Sequence, residues 1–178
     1  MMKNQIVNRD NQEKIAALFT STFETSEGHE EGALVGELAS RLAFEIDDER
    51  VICFASFEKT KMIGAIFFTE LIYQEATRVY MLAPVAIDPH YQGQGFGQAL
   101  INEGLDLLRK RSISLVVTYG DPAFYSKVGF APVIELIPPP LKPSMPYGWL
   151  GQTLTDEEIP KLKSVPICVE EFNDPIYW

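Results

Sequence analysis

Residues 92–98 read Gln92, Gly93, Gln94, Gly95, Phe96, Gly97 and Gln98, with three glycines at alternate positions. They follow an apolar run, Val85, Ala86 and Ile87, which stops at Asp88 and Pro89. They precede a stretch with helical periodicity. A strand, a glycine-rich turn and a helix N-terminus in that order make a place to hold phosphate. The first N–H groups of a helix point outward without helical acceptors, and the helix dipole favours negative charge there. Glycine lets the backbone approach a ligand with no side chain in the way.

Other chemistry is sparse. Cys53 and Cys168 lie in apolar runs and read as small buried hydrophobes rather than a disulfide or a nucleophile. The histidines are His29 and His90, and no Cys/His cluster exists, so no metal site is expected. His29 reads as an exposed loop residue. Glu24, Glu27 and Glu70 are the carboxylates in reach of a general-base role, and each reads first as a solvated surface charge. Asp121, ahead of Pro122, reads as a helix cap. Lys127 reads as a solvated lysine.

The elements that must position the loop come from periodicity. Residues 5–8 suggest a short first strand. A helix starts at Asp10 or Asn11, with Ile15, Leu18, Phe19 and Phe23 at helical spacing. Thr25 to Gly28 breaks that pattern. A second helix begins near Glu30, with Leu34, Val35, Leu38 and Leu42 on one face. Residues 51–57 and 62–71 are strands joined by a short polar hairpin connection. Gly64 marks a bulge or a close approach. Residues 78–87 are a third long strand, and Pro84 inside it predicts a bulge or a splayed neighbour, because proline donates no ladder bond. Residues 95–111 form an amphipathic helix and residues 114–119 a strand parallel to the third. A short helix over 123–127 ends at Gly129. Residues 130–137 are read as a strand, 155–163 as a helix with a Thr155–Glu158 capping box, and 165–171 as a last strand.

The 178 residues imply one domain, or one with an extension. Hydrophobic residues make up 46% and charged ones 22%, which is a globular balance and sets aside a disordered chain. A net charge of −10 argues against a general nucleic-acid partner, since phosphate contacts need a positive footprint. An acidic surface suits cationic substrates such as amines, although it also simply serves solubility. The N-terminus has no apolar signal core, and no apolar run nears the ~20 residues that span a bilayer. The expectation is a cytoplasmic protein with no membrane partner.

Residues 78–133 resemble the GNAT superfamily of N-acetyltransferases. The family pattern, Gln or Arg, two residues, Gly, one residue, Gly or Ala after a strand, is carried by Gln92-Gly93-Gln94-Gly95-Phe96-Gly97. A tyrosine four residues before Gly-Phe is carried by Tyr125-Ser126-Lys127-Val128-Gly129-Phe130. Gly120-Asp121-Pro122-Ala123-Phe124-Tyr125 is similar to the YhbS-like branch. A dinucleotide-binding Gly-x-Gly-x-x-Gly loop would sit on the first strand of its unit and space its glycines differently.

The resemblance implies an α/β (α+β) acyl-CoA N-acyltransferase fold, with a mixed central sheet of about six or seven strands flanked by helices. It implies a GNAT core over residues 1–137 and a Pro- and aromatic-rich extension over 138–178 packed on it. It implies acetyl-CoA as cosubstrate and a primary amine of a small molecule or protein as acceptor. The pyrophosphate would rest on backbone N–H groups of Gln92, Gly93, Gln94, Gly95, Phe96, Gly97 and Gln98. The pantetheine arm would bond the edge of Val85, Ala86 and Ile87, and an N–H near Val85 would stabilise the thioester oxyanion. Tyr125 takes the general-acid position. Phe124 is read as packing and Tyr91 as packed beneath the loop. A non-catalytic acyl-CoA-binding or sensing module is the alternative. The aromatic C-terminal segment is one candidate surface for a homodimer.

Overall fold

The computed structural model describes residues 2–75 and 77–178. Seven strands form one mixed sheet in the order β1-β2-β3-β4-β5-β7-β6. β1 (Met2–Val7) lies antiparallel to β2 (Val51–Glu58), in a register from Met2 opposite Glu58 to Val7 opposite Cys53. β2 turns into β3 (Lys61–Leu71) through Lys59 and Thr60, with Lys59 at φ 56°. Such a two-residue connection matches the right-handed twist of the strands when its residues take positive φ. β4 (Val79–Ile87) runs parallel to β5 (Leu115–Tyr119), which pairs antiparallel with β7 (Trp149–Thr153). β6 is Ala131–Pro132. The helices are α1 (Gln12–Glu27), α2 (His29–Phe44), α3 (Phe96–Lys110) and the short α4 (Pro122–Tyr125).

The chain divides into two compact units, Met1–Phe68 with Pro84–Gly104, and Thr69–Ala83 with Leu105–Trp178. In the first, α1 and α2 pack side by side, and Phe19 meets Phe67 of β3 with ring centroids 5.9 Å apart. The opposite-facing residues of β3, Ile66 and Phe68, press on α3 at Gly104. This is the strand period of two at work, sending alternate side chains to opposite faces. In the second unit β5 lies between β4 and β7, and its Val116 and Val117 are fully buried. Trp149, also fully buried, donates its indole N–H to the Ile137 carbonyl at 2.7 Å. Among the described residues no helix is long and apolar enough to cross a membrane, and no group of three or more His, Cys, Asp or Glu is placed to hold a metal.

Several expected elements differ. β1 starts at Met2 and ends at Val7, earlier than residues 5–8. α1 runs through Thr25 to Glu27, because Gly28 ends it with its N–H on the Glu24 carbonyl at 3.0 Å. Residues 130–137 form only the two-residue β6. Pro132 has no N–H to continue the ladder, and Leu136 and Ile137 donate to the Val133 carbonyl in a local turn. Residues 155–163 are not helical. Thr155 uses its hydroxyl on the Glu157 N–H at 3.2 Å, a local bond that competes with a helix, and Pro160 removes a donor. Residues 165–171 contribute one bridge, Ile72 to Ile167, before a 3-10 turn at Glu170–Phe172. β7 was not foreseen, since Trp149, Leu150 and Gly151 are all buried and show no alternation.

Candidate active site

β4 leads into the first group of candidate residues. Its pairing with β5 runs from Val79 opposite Leu115 to Leu82 opposite Thr118 and stops there, two residues before Pro84. β4 nevertheless continues as a strand to Ile87. Val85 and Ile87 are half-buried and Ala86 is buried. The segment has Ile63 on its other side, whose carbonyl accepts the Asp88 N–H at 2.8 Å. The ladder thus ends two residues short of the proline that predicts a splay.

Asp88 then turns the chain. Its carboxylate accepts the His90 N–H at 2.9 Å and pairs with Lys61 Nζ at 2.9 Å, while its carbonyl accepts the Tyr91 N–H at 2.8 Å. Burial pushes the Asp88 carboxyl up, but the bonds from Lys61 and His90 outweigh it and leave it below the usual range. The Asp88 bond in turn raises the Lys61 ammonium. Tyr91 bonds Glu58 through its hydroxyl and meets Phe96 edge-on at 6.0 Å. It does pack under the loop.

The loop itself is exposed from Gln92 to Gly95. Gln92 donates its amide to the Ile87 carbonyl at 2.8 Å and Gln94 donates to the His90 carbonyl at 3.2 Å, so both side chains fold back on the turn. Gly93 and Gly95 sit at φ 73° and 84°, in the left-handed region where an L side chain is strained. The first helical bond runs from the Ala99 N–H to the Gly95 carbonyl at 3.0 Å. Among the described residues the N–H groups of Phe96, Gly97 and Gln98 donate to no backbone acceptor. Three donors therefore converge at the positive end of α3, beneath two backbone positions with no side chain. That arrangement can hold the oxygens of a phosphate or pyrophosphate without a cationic side chain.

In the other unit, a second group of candidate residues lies on β5 and α4. Asp121 caps α4 by accepting the Ala123 N–H at 2.9 Å, and Pro122 takes the first helical position. Tyr125 is half-buried, with its ring edge-on to Phe124 at 5.0 Å and to Phe130 at 5.7 Å. Burial raises its phenol above the ordinary range. A tyrosine so placed keeps its proton at neutral pH and can donate it.

The remaining candidates are spread out. Glu24 pairs with His29 at 3.4 Å on the exposed α1–α2 junction, and Glu27 is exposed. His29 opens α2 instead of lying in a loop. Glu70 is half-buried near the end of β3, and Lys127 is exposed. Cys53 is fully buried, and burial pushes its thiol far up. Cys168 is half-buried, outside any strand. Thr118, not singled out from the sequence, is fully buried on β5 and donates its hydroxyl to the Leu82 carbonyl at 2.6 Å. The aromatic stretch Met145 to Leu150, which the sequence leads one to expect packed on the body, is tied down next to Tyr119 and Gly120. There the Met145 N–H donates to the Tyr119 hydroxyl at 2.8 Å, and the Gly148 carbonyl accepts the Gly120 N–H at 2.9 Å.

Comparison with known proteins follows this geometry. The pattern of the Acetyltransferase (GNAT) family matches residues 13–130. Over 77 residues the chain is 40% identical to the uncharacterized N-acetyltransferase YhbS of Escherichia coli K12, which is 43% of this chain and 46% of that protein. Over 102 residues it is 31% identical to the uncharacterized N-acetyltransferase YjhQ of the same organism, covering 53% and 56%. The matched stretches thus span about half the length of these relatives. The crystal structure of Escherichia coli YhbS in complex with CoA superimposes with a TM-score of 0.78 at 26% identity, covering 97% of this chain and 92% of that one. A GNAT family acetyltransferase from Brucella melitensis in complex with acetyl-CoA superimposes with a TM-score of 0.66 at 21% identity, covering 93% and 95%, a likeness of fold. The mixed seven-stranded sheet with its helices is the fold that the sequence motifs imply.

Proposed function

The chain belongs to the acetyltransferase (GNAT) family, and from that premise we propose that it transfers the acetyl group of acetyl-CoA to a primary amine by direct attack in a ternary complex. The observation that carries this reading is the loop of residues 92–98, with three N–H groups free at the mouth of α3 and two glycines at positive φ. The chain's two relatives by structure named above hold CoA or acetyl-CoA. The donor set suits such a group: backbone N–H for the pyrophosphate, and for the pantetheine amides the strand edge of Val85, Ala86 and Ile87, where β4 has run past its β5 ladder.

Bound acetyl-CoA supplies a thioester carbonyl for attack. A primary amine, with a pKa of about 10, must first lose a proton to water or a carboxylate. The N–H near Val85 stabilises the oxyanion of the tetrahedral state. Tyr125 donates its phenolic proton to the departing thiolate. Residues 138–178 are read as an extension of a core over 1–137.

Release of free thiol from acetyl-CoA, measured across a panel of small amines and peptides, tests the activity. Tyr125→Phe should lower turnover about 100-fold, the lower end of general-acid effects, with CoA affinity kept. Unchanged turnover in that variant would remove the role of Tyr125. A second reading, a non-catalytic acyl-CoA sensor, draws on the candidate bases: Glu24 pairs with His29 on an exposed junction, and Glu27 is exposed. Tight CoA binding without thiol release on any amine would favour it.

A further inference from the structure

The strand edge of residues 85–87 ends at Ile87, and two side chains converge on the Ile87 carbonyl. Gln92 donates its Nε2 amide to it at 2.8 Å, and Thr22 donates its hydroxyl at 3.4 Å. Thr22, Ile87 and Gln92 all belong to one compact unit. Thr22 is 6% exposed in the body of α1, where a threonine hydroxyl commonly bonds back to a carbonyl three or four residues earlier. Its neighbour Ser21 does so, giving its hydroxyl to the Leu18 carbonyl at 3.2 Å. Thr22 instead reaches a residue 65 positions away. Gln92 is exposed, yet it gives up side-chain freedom for the same oxygen.

The peptide plane fixes where that oxygen points. The Asp88 N–H is directed at the Ile63 carbonyl of β3, at 2.8 Å. In a trans peptide the preceding C=O points the opposite way. The Ile87 oxygen therefore faces away from β3, along the edge that the β4–β5 ladder has left at Leu82. The Ala86 carbonyl lies on the β3 side, 3.5 Å from where a Cβ on Gly64 would stand, so the Ile87 N–H shares the open edge with the Ile87 oxygen. Val85, two residues back, presents its N–H and C=O to the same edge, as alternate residues of a strand do. A carbonyl oxygen has two lone pairs, and at Ile87 both are used. Ile87 thus offers the edge a donor and no free acceptor, whereas Val85 keeps both.

We propose that Thr22 and Gln92 are positioning residues for the donor: by capping the Ile87 carbonyl they fix the register of the pantetheine arm on β4. The inference rests on the strand-edge reading of residues 85–87. A pantetheine amide carries one N–H and one C=O, as a peptide does, and an extended arm can pair with a strand edge at positions two residues apart. Opposite Ile87 only its C=O finds a partner, so its N–H is left to Val85. With the cap removed, the arm can slide by two residues and place an N–H on Ile87. Two residues of strand are about 6.6 Å. A shift of that size carries the thioester away from the point of attack, where a misplacement of ~1 Å already costs about 100-fold. The slipped complex binds and does not react.

The experiment compares the full chain with Thr22→Ser, which keeps the hydroxyl, and with the Thr22→Val/Gln92→Met double variant, which removes both donors at similar size. The first readout needs no turnover and no variant. A carbonyl carbon moves downfield in 13C spectra when its oxygen accepts a new hydrogen bond. When CoA is added to the wild type, the Val85 carbonyl carbon should move downfield, while the Ile87 carbonyl carbon and the Gln92 side-chain amide keep their positions. In the double variant the Ile87 carbon should move as well. The second readout is steady-state thiol release from acetyl-CoA. Unproductive binding lowers kcat and KM together, so the double variant should lose about fivefold in each, the worth of one hydrogen bond, with kcat/KM unchanged. Thr22→Ser should match the wild type in both readouts. An Ile87 carbon or a Gln92 amide displaced by CoA in the wild type overturns the proposal, whatever the kinetics. A double variant with raised KM and lowered kcat/KM overturns it too, because the two side chains would then only support the loop. CoA that binds without moving the Val85 carbon refutes the strand-edge reading and the proposal with it. Wild-type signals as expected, with no thiol release on any amine, support the cap and refute the acetyl-transfer reading alone.

Discussion

Gly95→Ala isolates the backbone geometry of the donor loop. Gly95 has φ 84°, and a Cβ built there would meet nothing within 4 Å. The substitution therefore adds conformational strain and no collision. An L-residue in the left-handed region costs about 1–2 kcal/mol, a factor of about 5 to 30 in an equilibrium constant. That cost divides between folding and binding. If the free loop keeps its shape, folding bears it and CoA affinity is unchanged. If the free loop relaxes to negative φ, the N–H groups of residues 96–98 lose their alignment, and CoA must restore it on binding. The two losses should then sum to about 1–2 kcal/mol. Calorimetric titration with CoA gives one term, and urea unfolding of the unliganded protein gives the other. A combined loss below about 0.3 kcal/mol, against the 1–2 expected, would refute the strain argument. Abolished binding at unchanged stability would refute it from the other side, since it would require a side chain colliding with the ligand.

Gly32→Ala should destabilise the α1–α2 pair. Its Cβ would fall 2.6 Å from the Glu24 Cβ and 2.8 Å from the Glu24 Cα and N, which are backbone atoms that cannot rotate away. Overpacking of about 1–3 kcal/mol outweighs the helix-propensity gain of about 1 kcal/mol, so urea unfolding should show a net loss, and a more stable variant would contradict the packing. Acid should release the 163–164 segment. The Glu75 carboxylate accepts the Ser164 hydroxyl and the Lys163 and Ser164 N–H groups, with the hydroxyl bond leading, and its pKa falls to about 2. A folded pKa below the unfolded value of about 4.5 means that the contribution is present above pH 4.5 and disappears as pH falls toward 2. The protection of the Lys163 and Ser164 amides, relative to their intrinsic exchange rate at each pH, should fall across that window in the wild type and not in Glu75→Gln. Equal protection at pH 3 and pH 6 in the wild type would count against it.

Legibility followed the range of the interactions. The loop could be read because its parts are contiguous: an apolar strand, Asp88-Pro89, spaced glycines and an amphipathic helix. The Asp121 cap and the stop at Gly129 were equally local. Pro84 gave warning that the β4–β5 ladder would break nearby, and it stops two residues earlier, because a missing N–H is a property of the residue itself. The C-terminal forty residues defeated the same reasoning. Thr155 and Glu158 have capping-box spacing, yet the Thr155 hydroxyl serves a turn. β7 exists because β5 offers a ladder from Leu115 opposite Thr153 to Tyr119 opposite Trp149, and no window around Trp149 contains that partner.

By itself, the sequence determined the family, the order of the elements up to α4 and the backbone donors of residues 92–98. These depend on φ preference, periodicity and helix ends, all properties of neighbouring residues. Tertiary structure decided what surrounds Tyr125. It set the tyrosine between Phe124 and Phe130, brought Gly120 against its ring and, on the neighbouring strand, gave the Thr118 hydroxyl to the Leu82 carbonyl. Leu82 and Thr118 are 36 residues apart, and only the parallel pairing of β4 with β5 makes them neighbours. The charge state of a phenol depends on such neighbours, because burial and hydrogen bonding act through space and not along the chain.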